Sequence, residues 1–441
     1  MSIPVVTVGE SPEDLVGGLE RLHGPVTVVR RCGELAELLA ACQSGLARAA
    51  VVAEGSSELT ASLVDRLAAV GVVVVALTDG PEERLRLRGI GVTAAPVTVE
   101  SKALAESITE AVSRHAGAGR GRTTATRPDF GSGFADAGSE LRPEVVNAEP
   151  EPPPVGTGKV LAVWGPAGAP GRTLIAVNIA GELAAEGKSV LLVDADSYGA
   201  SVAAVLGLLD EAAGLAQACR LADQGLLDRE ALLRVAVPVA ATAGSFRVLT
   251  GITRADRWTE LRAAALALVL ERAREVADVI VVDTGFCLEA DEELSFDTMA
   301  PRRNAATLRS LEVADSVIAV GSADPIGVPR LIRALAELEG AVPGASPDVV
   351  LNKVRASAVG RSPERQLREA WERFAPPAGI KAFLPWEPDA ADAALLSGSL
   401  LLESASESRL RAAISELVCA PAQQKRRSSV FPSTAGRRRT D

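Results

Sequence analysis

The residues best suited to chemistry in this chain form one short run, Gly165-Pro-Ala-Gly-Ala-Pro-Gly-Arg-Thr173. A glycine-rich turn between a strand and a helix lets backbone N–H groups and the helix N-terminus surround a phosphate. Measured against the pattern G-x-x-x-x-G-K-[ST], Gly171 and Thr173 hold their places and Arg172 stands at the lysine position. The first glycine falls on Pro166, with Gly165 one residue early. Arginine remains cationic and can grip a phosphate with two N–H groups, but it is larger than lysine and planar. Pro166 and Pro170 stiffen the turn, and Pro170 removes one N–H donor.

Three further segments end in polar residues suited to the same ligand. Val190-Leu-Leu-Val-Asp194-Ala-Asp196 is an apolar strand that delivers two carboxylates at its C-terminal end, the end where open parallel sheets bind ligands. Ala277-Asp-Val-Ile-Val-Val-Asp283 repeats the arrangement, with the aspartate placed to hold Mg²⁺. Val349-Val-Leu-Asn352-Lys353 ends in an amide able to pair with an adenine edge. Each piece also has a plain structural reading: a turn, a helix N-cap or a turn-forming asparagine. Their order, spaced by whole strand–helix units, is what points to nucleotide binding.

These residues need strands to carry them, and the chain supplies two sets. In residues 1–114, strands are expected at Pro4–Val8, Val26–Val29, Ala49–Ala53, Val72–Leu77 and Val92–Val97. Helices are expected between them, and Ser101–Arg114 closes the unit. Five such repeats predict a doubly wound, flavodoxin-like sheet. Residues 115–157 lose all periodicity and end in Glu149-Pro-Glu-Pro-Pro-Pro154, which reads as a disordered Pro/Gly-rich linker. The alternation resumes over 158–420, with strands at Val160–Trp164, Val190–Val193, Arg247–Thr250, Val279–Val282, Ser316–Val320, Val349–Leu351 and Ile380–Leu384. Helices there include Thr259–Val276, Pro329–Leu338 and Pro363–Phe374. Residues 421–441 form an arginine-rich tail expected to be disordered.

Composition narrows the function classes. The chain has 441 residues, 47% of them hydrophobic but only 3% aromatic, which suits α/β layers built from Val, Leu, Ile and Ala. A formal charge of −11 argues against binding DNA over the whole surface. Arginine outnumbers lysine 40 to 6, a bias expected of a GC-rich genome. Five cysteines without C-x-x-C spacing make a disulfide framework or a cysteine zinc site improbable and point to a reducing cytoplasm. The opening residues lack a charged segment followed by an apolar stretch, so no signal peptide is expected. The basic tail lacks an apolar face, so membrane contact is expected to be weak and peripheral, at the inner face of the membrane.

From Lys159 onward the sequence resembles the MinD/ParA superfamily of deviant Walker-A ATPases, whose loop reads K-G-G-x-G-K-T and is followed by a helix and D-x-D. The resemblance includes Asp283 at the Walker B position, Asp324-Pro325, Asn352-Lys353 and Leu384-Pro385-Trp386. With the N-terminal receiver-like unit it looks like the CpaE/TadZ branch. The resemblance implies ATP and Mg²⁺ as cofactors, with Gly168 and Gly171 cradling phosphates and Thr173, Asp283 and Asp194 serving the metal. It gives Asp196 the attacking water, Arg172 the phosphates, and Asn352 and Pro385 the adenine. It implies a spatial regulator that positions a septum or a pilus or secretion assembly through protein partners. The alternative is an active ParA-like ATPase of chromosome partitioning that cycles through an ATP homodimer. The family's signature lysine, which reaches the partner's phosphates, aligns with Ala167. Weak or absent hydrolysis is therefore expected. A phosphorylatable receiver needs acidic residues after the first strand and Asp after the third, but Gly9-Glu10 and Glu54 stand there. Lys102 falls inside the closing helix, and Thr78 is the one well-placed remnant. The N-terminal unit therefore reads as a pseudo-receiver used for docking.

Overall fold

A computed structural model describes residues 2–9, 13–22, 24–53, 56–121, 158–208, 213–242, 244–290, 301–374 and 378–419. The N-terminal unit is built on β1 (Ile3–Val8), β2 (Val26–Cys32), β3 (Ala49–Val52), β4 (Val73–Leu77) and β5 (Thr93–Ala95). They form one parallel sheet in the order β2-β1-β3-β4-β5. This is the doubly wound arrangement expected from the sequence. The valine- and alanine-rich strands β3 and β4 are covered on both faces, so an uninterrupted apolar run is the correct signal for them. β5 is shorter than expected because Pro96 follows Ala95 and has no N–H for the ladder. The closing helix, Ser101–Gly121, runs past the boundary expected at residue 114. The rest of the expected linker lies outside the described residues, as do Glu10, Glu54 and the tail from residue 420.

The second unit contains β6 (Lys159–Trp164), β7 (Val190–Ala195), β8 (Val237–Ala241), β9 (Gly244–Leu249), β10 (Val279–Thr284), β11 (Ser316–Ser322), β12 (Pro347–Val354) and β13 (Ile380–Pro385). Their order is β13-β12-β11-β6-β10-β7-β9-β8. All neighbours are parallel except β8, which pairs antiparallel with β9 at the edge. Sequence reading missed β8, an Ala-rich strand containing Pro238. A proline at an edge costs no ladder bond, so the strand survives there. Alternate residues serve the two faces: Leu191, Val193, Ile280 and Val282 enter one core, while Leu192 and Val281 enter the other. Ile175 and Ile179 of the helix Arg172–Ala185 cover the second face, and Leu266 and Leu270 of the helix Ala263–Ala273 cover the first. The expected long helix Thr259–Val276 is in fact two pieces, a 3-10 turn at Ala255–Glu260 and the helix Ala263–Ala273.

A clamp fixes the chain where it enters this sheet. Gly158 donates to the Arg274 carbonyl, and the Arg274 guanidinium returns a bond to the Gly158 carbonyl at 2.7 Å. Arg274 also pairs with Asp315 at 2.6 Å, and the same carboxylate oxygen accepts the Val160 N–H. A Cβ at residue 158 would collide with the Ala277 carbonyl.

The two units pack together. Ser62, in the helix Ala61–Ala69, directs its N–H and hydroxyl to one oxygen of Asp223, at 2.8 and 2.6 Å. The other Asp223 oxygen accepts from Arg262 at 3.1 Å. Arg86 donates to the Gln224 carbonyl, and Ala264 and Leu268 pack against a core of the N-terminal unit.

Candidate functional site

β6 ends in the turn 165–171, and its shape follows from its small residues. Gly165 passes so close to the Val320 carbonyl of β11 that a Cβ there would collide with it. Gly168, Ala169 and Gly171 all have left-handed φ, at 109°, 50° and 102°. Gly171 is the N-cap of the helix Arg172–Ala185 and provides no side-chain cap. The first turn of that helix therefore faces the loop with the partial positive charge and N–H donors that suit an anion.

Arg172 does not project freely. Its guanidinium donates to the carbonyls of Thr284 (3.1 Å), Gly165 (3.1 Å) and Pro166 (3.2 Å). It also lies 3.4 Å from Asp196. Thr173 follows and donates its hydroxyl to Asp283 at 2.6 Å. Asp283 stands beside Asp194 in strand register, and each is about 1% exposed. Burial pushes the Asp194 carboxyl up to about 7, against the opposing N–H donors of Val202 and Asp196. Burial and then the Asp194 charge raise Asp283 well above the carboxylate range, with Thr173 and Arg172 acting in the opposite direction.

The second Asp283 oxygen is buried and has no hydrogen-bond partner. Two adjacent buried carboxylates, one with an orphaned acceptor, and a hydroxyl within bonding distance are oxygen donors suited to a hard divalent cation. Among the described residues, no group of three or more His, Cys, Asp or Glu side chains is placed to hold a metal by itself. Phosphate oxygens and water would therefore complete the coordination, as Mg²⁺ prefers. The residues present fit that ion.

Asp196 accepts the N–H groups of Tyr198 (2.8 Å) and Gly199 (3.1 Å). Tyr198 is held in turn by Asn304 at 2.8 Å and by the Arg303 guanidinium, 4.0 Å above its ring. Asn304 is the N-cap residue of the helix Ala305–Val313. Neither Tyr198 nor Asn304 carries a local sequence signal, because the contact spans 106 positions.

Asn352 reaches the site, but its buried amide donates to the Pro170 carbonyl at 2.8 Å and its oxygen accepts the Lys353 N–H. In this structure its side chain holds the loop. Lys353 has a left-handed φ of 62° and donates its ammonium to the Ala169 carbonyl at 2.7 Å. Arg330 donates to the Ala167 carbonyl at 3.0 Å. Sequence reasoning missed Lys353 and Arg330 as partners of the loop. Pro385 closes β13 in register with Val354, and the adjacent Trp386 is 44% exposed. Lys353 and Arg355 each lie 5.6 Å from the Trp386 ring. The residues of the loop, the three aspartates, Asn352 and Pro385 thus all gather at the C-terminal ends of β6, β7, β10, β12 and β13.

The family profile of the CobQ/CobB/MinD/ParA nucleotide binding domain (CbiA) matches residues 161–397, just over half of the chain. No curated protein matches the chain. The fold is similar to a ParA family ATPase from Chlorobium tepidum at 20% identity and a TM-score of 0.48, over 59% of this chain and 98% of that one. It is also similar to the cell division ATPase MinD of Pyrococcus furiosus, at 18% identity and a TM-score of 0.46, over 59% and 97%. The septum site-determining protein MinD of Pyrococcus horikoshii, complexed with Mg-ADP, matches at 18% identity and a TM-score of 0.45, over 59% and 94%.

Proposed function

The chain belongs to the CobQ/CobB/MinD/ParA nucleotide-binding family, and on that premise we propose that it is a nucleotide-dependent spatial regulator of the CpaE/TadZ type. It binds ATP with Mg²⁺ at residues 165–173 and hydrolyses it weakly or not at all. By recruiting protein partners in the cytoplasm, it positions a septum or a pilus or secretion assembly.

One observation carries the reading: the metal-side group is intact while the cationic side is altered. Thr173, Asp283 and Asp194 stand together with an orphaned acceptor, so a Mg²⁺–nucleotide complex has its oxygen donors. Bound Mg²⁺ would screen the charge that develops on the phosphates. Thr173 and Asp283 orient the metal side, and the helix N-terminus meets the phosphates. Asp196, fixed by Tyr198 and Gly199, is placed to accept a proton from water or to orient it. At the lysine positions, Ala167 offers no charge and Arg172 is engaged with three carbonyls and Asp196. Phosphoryl transfer depends mainly on positioning and charge stabilisation, so this arrangement favours holding nucleotide over turning it over. The N-terminal unit acts as a pseudo-receiver, docked through Ser62 and Arg86.

Calorimetric titration of the full chain with ATP and ADP, with and without Mg²⁺, tests the reading. Binding should depend on Mg²⁺ and weaken at least about tenfold in Thr173→Ala, a loss of about 1.4 kcal/mol. Phosphate release should stay at the level of that variant. Rapid turnover by the wild-type chain would remove the claim of weak hydrolysis, and an absence of binding would remove the reading itself.

A further inference from the structure

A second arginine meets the phosphate loop from a different part of the chain. The helix Gly327–Ala341 starts hard against the end of β11, where a Cβ at Gly327 would collide with the Ser322 carbonyl. Asp324 fixes this start by accepting the N–H groups of Ile326 and Gly327 at 3.0 and 2.8 Å. Arg330, in the first turn, is thereby aimed at residues 167–168. Its guanidinium donates to the Ala167 carbonyl, and it lies so close above Gly168 that a Cβ there would strike it. Among the described residues no carboxylate pairs with Arg330, whereas Arg172 lies beside Asp196. The Arg330 bond to the loop is exposed, whereas those of Arg172 are part-buried.

Asn352 braces the loop at Pro170; a nucleotide whose base lay at the β12 and β13 ends would run its phosphates along this loop toward the metal-side carboxylates. Those phosphates would come within reach of the Ala167–Gly168 turn, where the Arg330 guanidinium donates to a neutral carbonyl. An anion is a stronger partner for guanidinium than a carbonyl is.

We propose that Arg330 is a further phosphate-binding residue, which supplies within the same chain the positive charge that Ala167 lacks and selects nucleoside triphosphate over diphosphate. The inference rests on the nucleotide-binding reading above. In the triphosphate complex the guanidinium leaves the Ala167 carbonyl for an oxygen of the terminal phosphate. No bond is made or broken covalently.

The test compares Mg–ATP and Mg–ADP affinities for the full-length wild type, Arg330→Ala and Arg330→Lys. Arg330→Ala should weaken ATP about tenfold and ADP less than about threefold. Arg330→Lys should recover most of the loss, and nucleotide-free melting of both variants should match the wild type. An equal loss for both nucleotides would make Arg330 a brace of the loop and overturn the proposal, and so would an unchanged ratio. A wild type that binds neither nucleotide would overturn the underlying reading, which separates the two failures.

Discussion

The chain contains two parallel sheets of the same construction, and their strand ends differ in what they leave unsatisfied. In the N-terminal sheet, polar groups at the strand ends serve their own turns. The Thr78 N–H meets the Ala95 carbonyl, its hydroxyl accepts the Gly80 N–H at 3.3 Å, and Asp79 accepts the Val97 N–H at 2.9 Å. In the larger sheet, Asp194 and Asp283 are buried side by side, and one oxygen finds no partner. A fold spends its polar groups on its own backbone where nothing is to be bound. An unpaired oxygen on a buried carboxylate, as on Asp283, is the kind of group a bound cation would satisfy. The contrast distinguishes the two sheets more sharply than strand order does, since in both the order reverses at a point suited to ligands.

The largest effect should come from removing the underpaired charge. Asp283→Asn should abolish Mg²⁺-dependent nucleotide binding without unfolding the chain. The same site sets a pH dependence of known sign. A carboxyl whose folded pKa is raised binds its proton more tightly in the folded state, so its stabilising contribution is present at acid pH. That contribution is lost as pH rises through the folded value, about 7 for Asp194. Melting of the metal- and nucleotide-free protein should therefore drop between pH 5 and 8, and Asp283→Asn should flatten that slope. A melting temperature that rises over this range would show that the pair is not held in the protonated form.

An intermediate effect is expected at the junction of the units. Asp223→Ala strips the acceptor from Ser62 and Arg262 and should cost about 1–3 kcal/mol. Hydrogen exchange should rise in the helices Ala61–Ala69 and Ala263–Ala273 while nucleotide affinity changes little. If exchange is unchanged, the docking does not rely on this carboxylate. The smallest effect belongs to the N-terminal strand ends. Asp79→Ala loses one turn bond, about 0.5–1.5 kcal/mol, and should leave nucleotide binding within error of wild type. A tenfold change in binding would erase the distinction between the two sheets.

The parts of this architecture that were legible in the sequence are those written locally. Runs such as Val279–Val282 are uninterrupted because both faces of the strand are covered, and an aspartate at the end of such a run marks the ligand side. β8 escaped because an edge strand faces solvent and tolerates Pro238, so it shows neither a continuous nor an alternating pattern. Lys353 and Arg330 escaped for a different reason. Their bonds to the loop cross 184 and 163 positions, and a lone cation after a strand or in a helix looks like any surface charge. Asn352 was expected at the end of a strand, and it lies near the end of β12. Its attachment to Pro170 depends on how near the loop passes to β12, which no spacing in the sequence encodes.

The clamp at Gly158 has a mechanical consequence. It grips the lower end of β6, and the phosphate loop leaves the upper end of the same strand, six residues or roughly 20 Å away. β6 is flanked by parallel neighbours on both sides, so a pull on residue 158 acts along the strand and must shear both ladders together. The Arg274–Asp315 pair diverts that force into the ends of two helices before it reaches the ladders. A pull on residue 158 would therefore load the Arg274–Asp315 clamp and the two ladders of β6 before it reached the loop at the far end.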